Sequence, residues 1–428
     1  MDTIFAVASA RGMAGVAVIR VSGPDAFEAC KQCAGDVPAR RVASLRVLRR
    51  PDGGRIDEAL VLTFSENRSF TGEEVVEFHV HGSPAVISAV LEMLSGIPGL
   101  RVADPGEFTR RAMENGKMNL AQVEGLADLI AAETEAQRRQ ATRVLAGDLG
   151  RRADEWREAL VRAAALLEVT IDFVDEDVPV DVTPEVTKLI EAVRGSLSKE
   201  ISNVGHAERI RAGFEVAIVG APNVGKSTLL NCLAGREAAI TSSLAGTTRD
   251  VIEVRMDIQG LPVMLLDTAG LRIGGEEIEA IGIERARERA VNADLRVFLT
   301  DGGAPPLLEP GPSDIVRQCK GDLFPGRSAS VSGLTGEGVD QLLGEIADKL
   351  GAQNAGTGLA TRTRHAQGMR AGVEALDAAM NCLSSGATET ELAAEEVRRG
   401  VRALDSLVGR VDVEAVLDEI FSSFCLGK

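Results

Sequence analysis

Residues 220–227 read Gly220-Ala221-Pro222-Asn223-Val224-Gly225-Lys226-Ser227. They follow Glu215-Val216-Ala217-Ile218-Val219, a β-rich run, and open into Thr228-Leu229-Leu230-Asn231-Cys232-Leu233-Ala234, which has helical spacing. A glycine, four residues and then Gly-Lys-Ser, set between a strand and a helix, is a P-loop. Its backbone N–H groups wrap phosphates, the Lys226 ammonium reaches the β and γ oxygens, and the Ser227 hydroxyl ligates Mg2+. The same alternation continues outward. Val254 to Ile258, Pro262 to Asp267 and Leu295 to Thr300 read as buried strands between helical segments, the signature of a parallel α/β sheet.

Two downstream motifs complete a nucleotide switch. In Gly246-Thr247-Thr248-Arg249-Asp250, Thr248 joins the Mg2+ shell only while the γ-phosphate is present. In Asp267-Thr268-Ala269-Gly270, the Asp267 carboxylate serves the metal side and Gly270 donates its amide to the γ-phosphate, so loss of that phosphate releases both segments. GTPases read guanine with Asn-Lys-x-Asp. Here the corresponding segment is Cys319-Lys320-Gly321-Asp322, followed by Ser332-Gly333-Leu334. Lys320 and Asp322 are in place, but a cysteine cannot supply the amide that ties the segment to the P-loop. The expectation is guanine preference through Asp322 with reduced affinity.

Hydrolysis poses a further question. Ras-like switches position the attacking water with a Gln directly after Asp-x-x-Gly, where this chain has Leu271. Glu276, Glu277 and Glu279 in the next stretch are candidates for that role, and no arginine stands out as a finger. A cation held by oxygens could replace the finger's charge, with the Asn223 side-chain carbonyl as a ligand for a hard monovalent ion.

Around this α/β segment the composition changes. Residues 1–118 carry β-rich runs, Gly15 to Gly23, Glu58 to Ser65 and Glu73 to Gly82, bounded by Gly, Pro and Asp, as in an α+β domain. Asp104-Pro105-Gly106-Glu107 reads as a helix start with Asp104 as cap. From Leu120 the apolar positions Leu120, Val123, Leu126, Ala127 and Ile130 keep helical spacing. Residues 119–212 and 351–428 are both helical, so the α/β segment, 213–350, reads as an insertion between two halves of one helical domain.

Composition excludes several classes. The chain has 428 residues, 45% of them apolar, enough for a large core. Its apolar runs are shorter than the roughly 18 residues of a membrane span, and Asp2 stands where a secretory leader needs basic residues, so a cytoplasmic protein with no membrane association is expected. Six scattered cysteines do not form a disulfide framework. Cys30 and Cys33 form a lone pair at CxxC spacing, read as helix neighbours. A formal charge of −17, no Tyr and one Trp argue against a broad nucleic-acid surface; a nucleic-acid substrate would need a local patch or a partner. His79 and His81 alternate on one strand face and read as packing or hydrogen-bonding residues rather than metal ligands.

Together with these motifs, Asp2 to Gly23, Phe70 to Pro84, Pro105 to Ile130, the Glu279-Ala280-Ile281-Gly282-Ile283-Glu284 stretch and the terminal Phe424-Cys425-Leu426-Gly427-Lys428 resemble, over nearly the full length, the bacterial MnmE (TrmE) family of tRNA modification GTPases. The resemblance implies an N-terminal α+β domain that dimerises and binds a folate, a discontinuous all-α domain and an inserted Ras-like G domain. It also implies an aminomethyl or carboxymethylaminomethyl group placed on C5 of the wobble uridine of tRNA, together with an FAD-dependent partner (MnmG/GidA) in a heterotetramer or larger assembly. The one-carbon donor would be 5-formyltetrahydrofolate or another tetrahydrofolate derivative.

By the same resemblance GTP would be held by Asn223, Val224, Gly225, Lys226, Ser227 and Thr228, by Ser242, Ser243, Leu244, Ala245, Gly246, Thr247 and Thr248, and by Asp267, Thr268, Ala269 and Gly270. Lys320, Asp322, Ser332, Gly333 and Leu334 would hold the base. Potassium would sit on Asn223, Ser242, Leu244 and Thr247, Mg2+ on Ser227 and Thr248, and Glu279 would orient water. The folate pocket would draw on Arg20, Glu77, Lys117 and Lys428. The tail is a poor prenylation box, since Gly is not aliphatic and Lys is not a usual last residue. It is expected to fold against the N-terminal domain and bring Cys425 to the folate site. A ribosome-assembly or RNA-binding switch GTPase is the rival reading, but such proteins usually append a basic module that this chain lacks.

Overall fold

The computed structural model describes residues 2–10, 12–172, 181–221, 223–236, 238–240, 253–267, 287–301, 308–323, 329–352, 358–385, 389–410, 420–421 and 427. Two compact units divide the chain: residues 1–127 with 405–428, and residues 128–404.

The first unit is built on a six-stranded sheet. Its strands are β1 (Thr3–Val7), β2 (Ala14–Ser22), β3 (Ser44–Arg49), β4 (Arg55–Phe64), β5 (Val75–Gly82) and β6 (Leu100–Val102), in the order β3-β4-β5-β2-β1-β6. All neighbours are antiparallel except β1 and β6. Alternation along β5 explains the layering: Val76, Phe78 and Val80 point into a core with Ile19, Val21 and Val61, which leaves Glu77, His79 and His81 for the other face. Helices α1 (Ala26–Ala34) and α2 (Pro84–Ser95) cover the core face. Cys30 and Cys33 are buried there as helix neighbours, and their thiols are pushed up to about 11 and about 12 chiefly by burial.

Helix α3 (Glu107–Glu114) begins later than its sequence suggests. Asp104 does not cap it. Gly106 is the left-handed N-cap, with φ 70°, and Glu107 instead accepts from the Asp104 amide at 2.8 Å. Helix α4 (Leu120–Ala131) buries Leu120 and Val123 but leaves Ile130 exposed.

In the second unit the helical register restarts at Thr134, whose side chain and Gln137 form a reciprocal capping box for α5 (Glu135–Leu145). Helices α6 (Asp148–Asp172) and α7 (Thr183–Ala212) follow. Long apolar stripes pack α7 along α6 and along α10 (Thr363–Ser385), burying Leu160, Ile190, Leu197, Met369 and Leu376; Leu404 of α11 (Thr390–Leu407) lies near Gly372 of α10. Helices from both flanks of the α/β segment thus share one core, as an inserted domain requires.

The α/β segment contains β7 (Phe214–Gly220), α8 (Lys226–Ala234), β8 (Glu253–Ile258), β9 (Leu261–Asp267), β10 (Leu295–Thr300), β11 (Ile315–Cys319), β12 (Ser330–Val331) and α9 (Val339–Ala352), with sheet order β12-β11-β10-β7-β9-β8. The strands are parallel with one departure from expectation: β8 runs antiparallel to β9. The cause is local. Gln259 and Gly260 have φ 53° and 85°, the positive pair that a two-residue hairpin with the right twist demands. β7 lies between β9 and β10, with the chain passing from one side of it to the other, which places the P-loop where open α/β sheets bind ligands. Among the described residues, no helix is long and apolar enough to cross a membrane.

Candidate phosphate and base site with a second polar pocket

The phosphate loop starts where β7 ends. A side chain at Gly220 would put its Cβ 2.6 Å from the Leu299 carbonyl, so only glycine lets the strands lie this close. The chain then turns through Asn223 at φ 62° and Gly225 at φ 118°, and α8 begins at Lys226. Lys226 is 4% exposed, and its Nζ donates to the carbonyls of Gly220 at 2.8 Å and Ala221 at 3.0 Å. Desolvation lowers its pKa, opposed by the Asp267 charge. An ammonium so placed, at a helix N-terminus, provides a positive focus for an anion. Asn223 and Ser227 are exposed at the rim, and Ser227 Oγ donates to Asp267 Oδ2 at 3.2 Å.

The base segment is assembled by the far side of the sheet. Ser332, 1% exposed, donates from Oγ to Asp322 Oδ1 at 2.6 Å and accepts from the amides of Leu334 and Thr335 at 3.3 and 3.2 Å. Lys320 Nζ lies 3.3 Å from Asp301 Oδ2, a partner not evident in the sequence. A Cβ at Gly333 would stand 2.6 Å from the Leu229 amide, so this loop sits directly on α8. Cys319 reaches the P-loop by packing: a Cβ built on Gly225 would be 3.7 Å from its Sγ. Burial pushes that thiol up to about 11.

Lys226, Ser227 and Asp267 are therefore brought together, as are Asp322, Ser332, Gly333 and Leu334. Val224 is buried beneath the loop and Thr228 is exposed in the first turn of α8. Ser242, Ser243, Leu244, Ala245, Gly246, Thr247, Thr248, Thr268, Ala269, Gly270, Leu271, Glu276, Glu277 and Glu279 lie outside the described residues, as do Cys425 and Lys428.

The first unit holds a second polar cluster, on the sheet face opposite its core. Arg20 and Glu77 are direct cross-strand partners on β2 and β5, with Arg20 Nε donating to Glu77 Oε1 at 2.9 Å. The guanidinium lies over the rings of Phe70 and Phe108, 5.3 and 5.7 Å from their centroids. Those aromatics read in sequence only as apolar residues, because strand and helix meet here through tertiary packing alone. Lys117 Nζ donates to the Asn67 carbonyl at 2.9 Å, on the loop that carries Phe70. Asn115 fixes the same loop through Thr71 O at 2.8 Å.

Near this cluster Arg111, 6% exposed, joins Asp2, Glu73 and Glu107 within 3.0 Å, and Glu73 Oε2 accepts from Ser22 at 2.6 Å. The chain's end returns here too. A Cβ at Gly427 would fall on the Val7 carbonyl, and Val7 pairs with Ile19 next to Arg20. Phe421 is buried with Val123. His81 engages Asp57 and His79 lies by Glu77; among the described residues no group of three or more His, Cys, Asp or Glu could hold a metal ion.

The family model "GTP-binding protein TrmE N-terminus" matches residues 3–117, and "MnmE helical domain" matches residues 120–425. The tRNA modification GTPase MnmE of Roseobacter denitrificans is 58% identical over 428 residues, covering 100% of both chains. That of Cereibacter sphaeroides is 59% identical over 429 residues, also covering 100% of both. Among solved structures, an Aquifex aeolicus Era protein bound to GDP and aluminium fluoride is 29% identical, covers 32% of this chain and 56% of its own, and has a TM-score of 0.25.

Proposed function

The chain belongs to the MnmE (TrmE) family of tRNA modification GTPases, and from that premise we propose that it hydrolyses GTP in a potassium-dependent manner to drive modification of the wobble uridine. The observation that carries this reading is the convergence of Lys226, Ser227 and Asp267 at one end of the sheet with the Ser332-oriented Asp322. In this reading the loop amides and Lys226 neutralise the β and γ oxygens, and Asp322 accepts from the guanine N–H groups. Ser227 and Asp267, two oxygen ligands already in contact, fit Mg2+, which supplies charge neutralisation on the phosphates when bound. Thr248 and the amide of Gly270 complete the γ-phosphate contacts, and Glu279 orients the water. Asn223, exposed beside Gly225, suits a monovalent cation whose remaining ligands are Ser242, Leu244 and Thr247.

The second pocket is assigned to a tetrahydrofolate derivative such as 5-formyltetrahydrofolate. Glu77 offers acceptors to a pterin edge, while Arg20, Lys117 and Lys428 supply cations for the rest of the ligand. The return of Gly427 to the strand beside Arg20 supports a place for the terminal lysine there. A homodimer and an FAD-dependent partner, MnmG/GidA, complete the working assembly on tRNA, in the cytoplasm. The proposed domain limits are 1–118, 119–212 with 351–428, and 213–350.

The decisive experiment compares GTP turnover in potassium and in sodium at matched ionic strength. Strong activation by potassium, lost in Asn223→Ala while nucleotide binding persists, is the expected outcome. Equal rates in both salts would refute the cation mechanism.

A further inference from the structure

On the outward face of β5, Glu77, His79 and His81 occupy alternate positions. His81 is accounted for by Asp57, which receives its ring Nδ1 and its backbone amide, each at 2.8 Å. His79 has no comparable structural duty. Its cross-strand partners, Val18 and Leu60, are apolar, and its side chain is 26% exposed. Its Nε2 stands 3.4 Å from Glu77 Oε2, while Glu77 Oε1 is held by Arg20 at 2.9 Å.

A carboxylate has about four lone-pair sites on its two oxygens. Arg20 Nε and Nη2 both approach Oε1 at 2.9 Å and His79 approaches Oε2, so the carboxylate plane is gripped at both ends and Oε2 keeps room for a further donor. A group held this way is preorganised to accept an N–H donor from a flat ligand edge, such as an aminopyrimidinone ring presents. Held by Arg20 alone, it would be free to pivot about its single fixed oxygen.

We propose that His79 is a positioning residue for ligand binding in this pocket: it donates from Nε2 to Glu77 Oε2 and fixes the carboxylate plane that reads a pterin-type edge. This inference rests on the assignment of the pocket to a folate. It requires the tautomer protonated at Nε2, which glutamine can imitate because its amide nitrogen reaches a similar position.

The test is calorimetric titration of the full chain with 5-formyltetrahydrofolate. His79→Ala should bind about three- to tenfold more weakly, the loss of one modest hydrogen bond plus carboxylate freedom. His79→Gln should return to within about twofold of the unsubstituted chain, a rescue that mere loss of packing does not predict. Thermal midpoint and GTP turnover should be unchanged in both. Undiminished binding by His79→Ala, or His79→Gln no better than His79→Ala, would overturn the role of His79 and leave the folate assignment standing. Absence of saturable binding by the unsubstituted chain would remove the folate assignment, and this role with it.

Discussion

Ser227 Oγ donates to Asp267 Oδ2 across 3.2 Å, joining the first turn after the phosphate loop to the last residue of β9. The hydroxyl comes from the loop that wraps phosphate, and the carboxylate comes from the strand that leads into the second switch motif. Each group is therefore tied to a different part of the nucleotide machinery. Asp267→Asn preserves the shape of the contact and removes its charge. Magnesium-dependent GTP turnover should fall by about a hundredfold or more, because metal-side charge is central to phosphoryl transfer. Turnover within about twofold of the unsubstituted rate would contradict the role given to this pair.

Cys319 occupies the place where guanine-reading segments carry an amide, and among the described residues it meets Gly225 by packing. Cys319→Asn is expected to add a hydrogen bond back to the loop. Affinity for GDP should rise about fivefold to tenfold, as one net hydrogen bond of about 1 kcal/mol allows. Unchanged or weaker affinity, measured by fluorescent nucleotide displacement, would mean that the buried site is already shaped around the thiol.

How far the sequence could be read depended on whether a signal was local. The P-loop was legible because glycine, lysine and serine act through backbone geometry within eight positions. β2, β4, β5, β7, β8, β9 and β10 are legible as β-rich runs. β3 and β6 are not, because Ser44–Arg49 lacks a clean alternation of apolar and polar residues and Leu100–Val102 is only three residues long, and pairing with neighbours defines both. Asp104 reads like a cap, but Glu107 is drawn to Arg101 and Arg111 and to the Asp104 amide, and the helix starts two residues later, at Glu107. The Arg20–Glu77 pair spans 57 positions, beyond any periodic signal, and only the family resemblance located it.

Three buried thiols set an alkaline limit on stability. Cys30, Cys33 and Cys319 are raised from 9.0 to about 11, about 12 and about 11 by burial. A thiol whose folded pKa is raised favours the fold fully below its unfolded value, because the unfolded chain ionises first as pH climbs. That contribution declines from about pH 9 and is gone by about pH 12. The thermal midpoint should drop between pH 8.5 and pH 10.5. Cys30→Ala with Cys33→Ala should flatten the slope, and an identical slope in that double variant would show that other groups govern it.

Gly106 anchors the returning tail of the first unit. Its φ is 70°, and a Cβ there would lie 2.8 Å from Phe421 Cδ1 and 3.1 Å from the Phe421 carbonyl. Phe421 is 2% exposed, and the Arg110 guanidinium stands 5.0 Å from its ring centre. Gly106→Ala meets two penalties, about 1–2 kcal/mol for the left-handed backbone and about 1–3 kcal/mol for displacing the ring. Gly106→Asn tolerates the backbone but keeps the clash, so it separates the two. Phe421→Ala removes the ring and should cost about 3–5 kcal/mol by its cavity. In a Phe421→Ala background, Gly106→Ala should lose the ring's part of its steric penalty while the contact with the residue 421 carbonyl stays, giving a coupling of about 1 kcal/mol in denaturant unfolding. Strict additivity of the two substitutions would mean that the tail does not rest on Gly106.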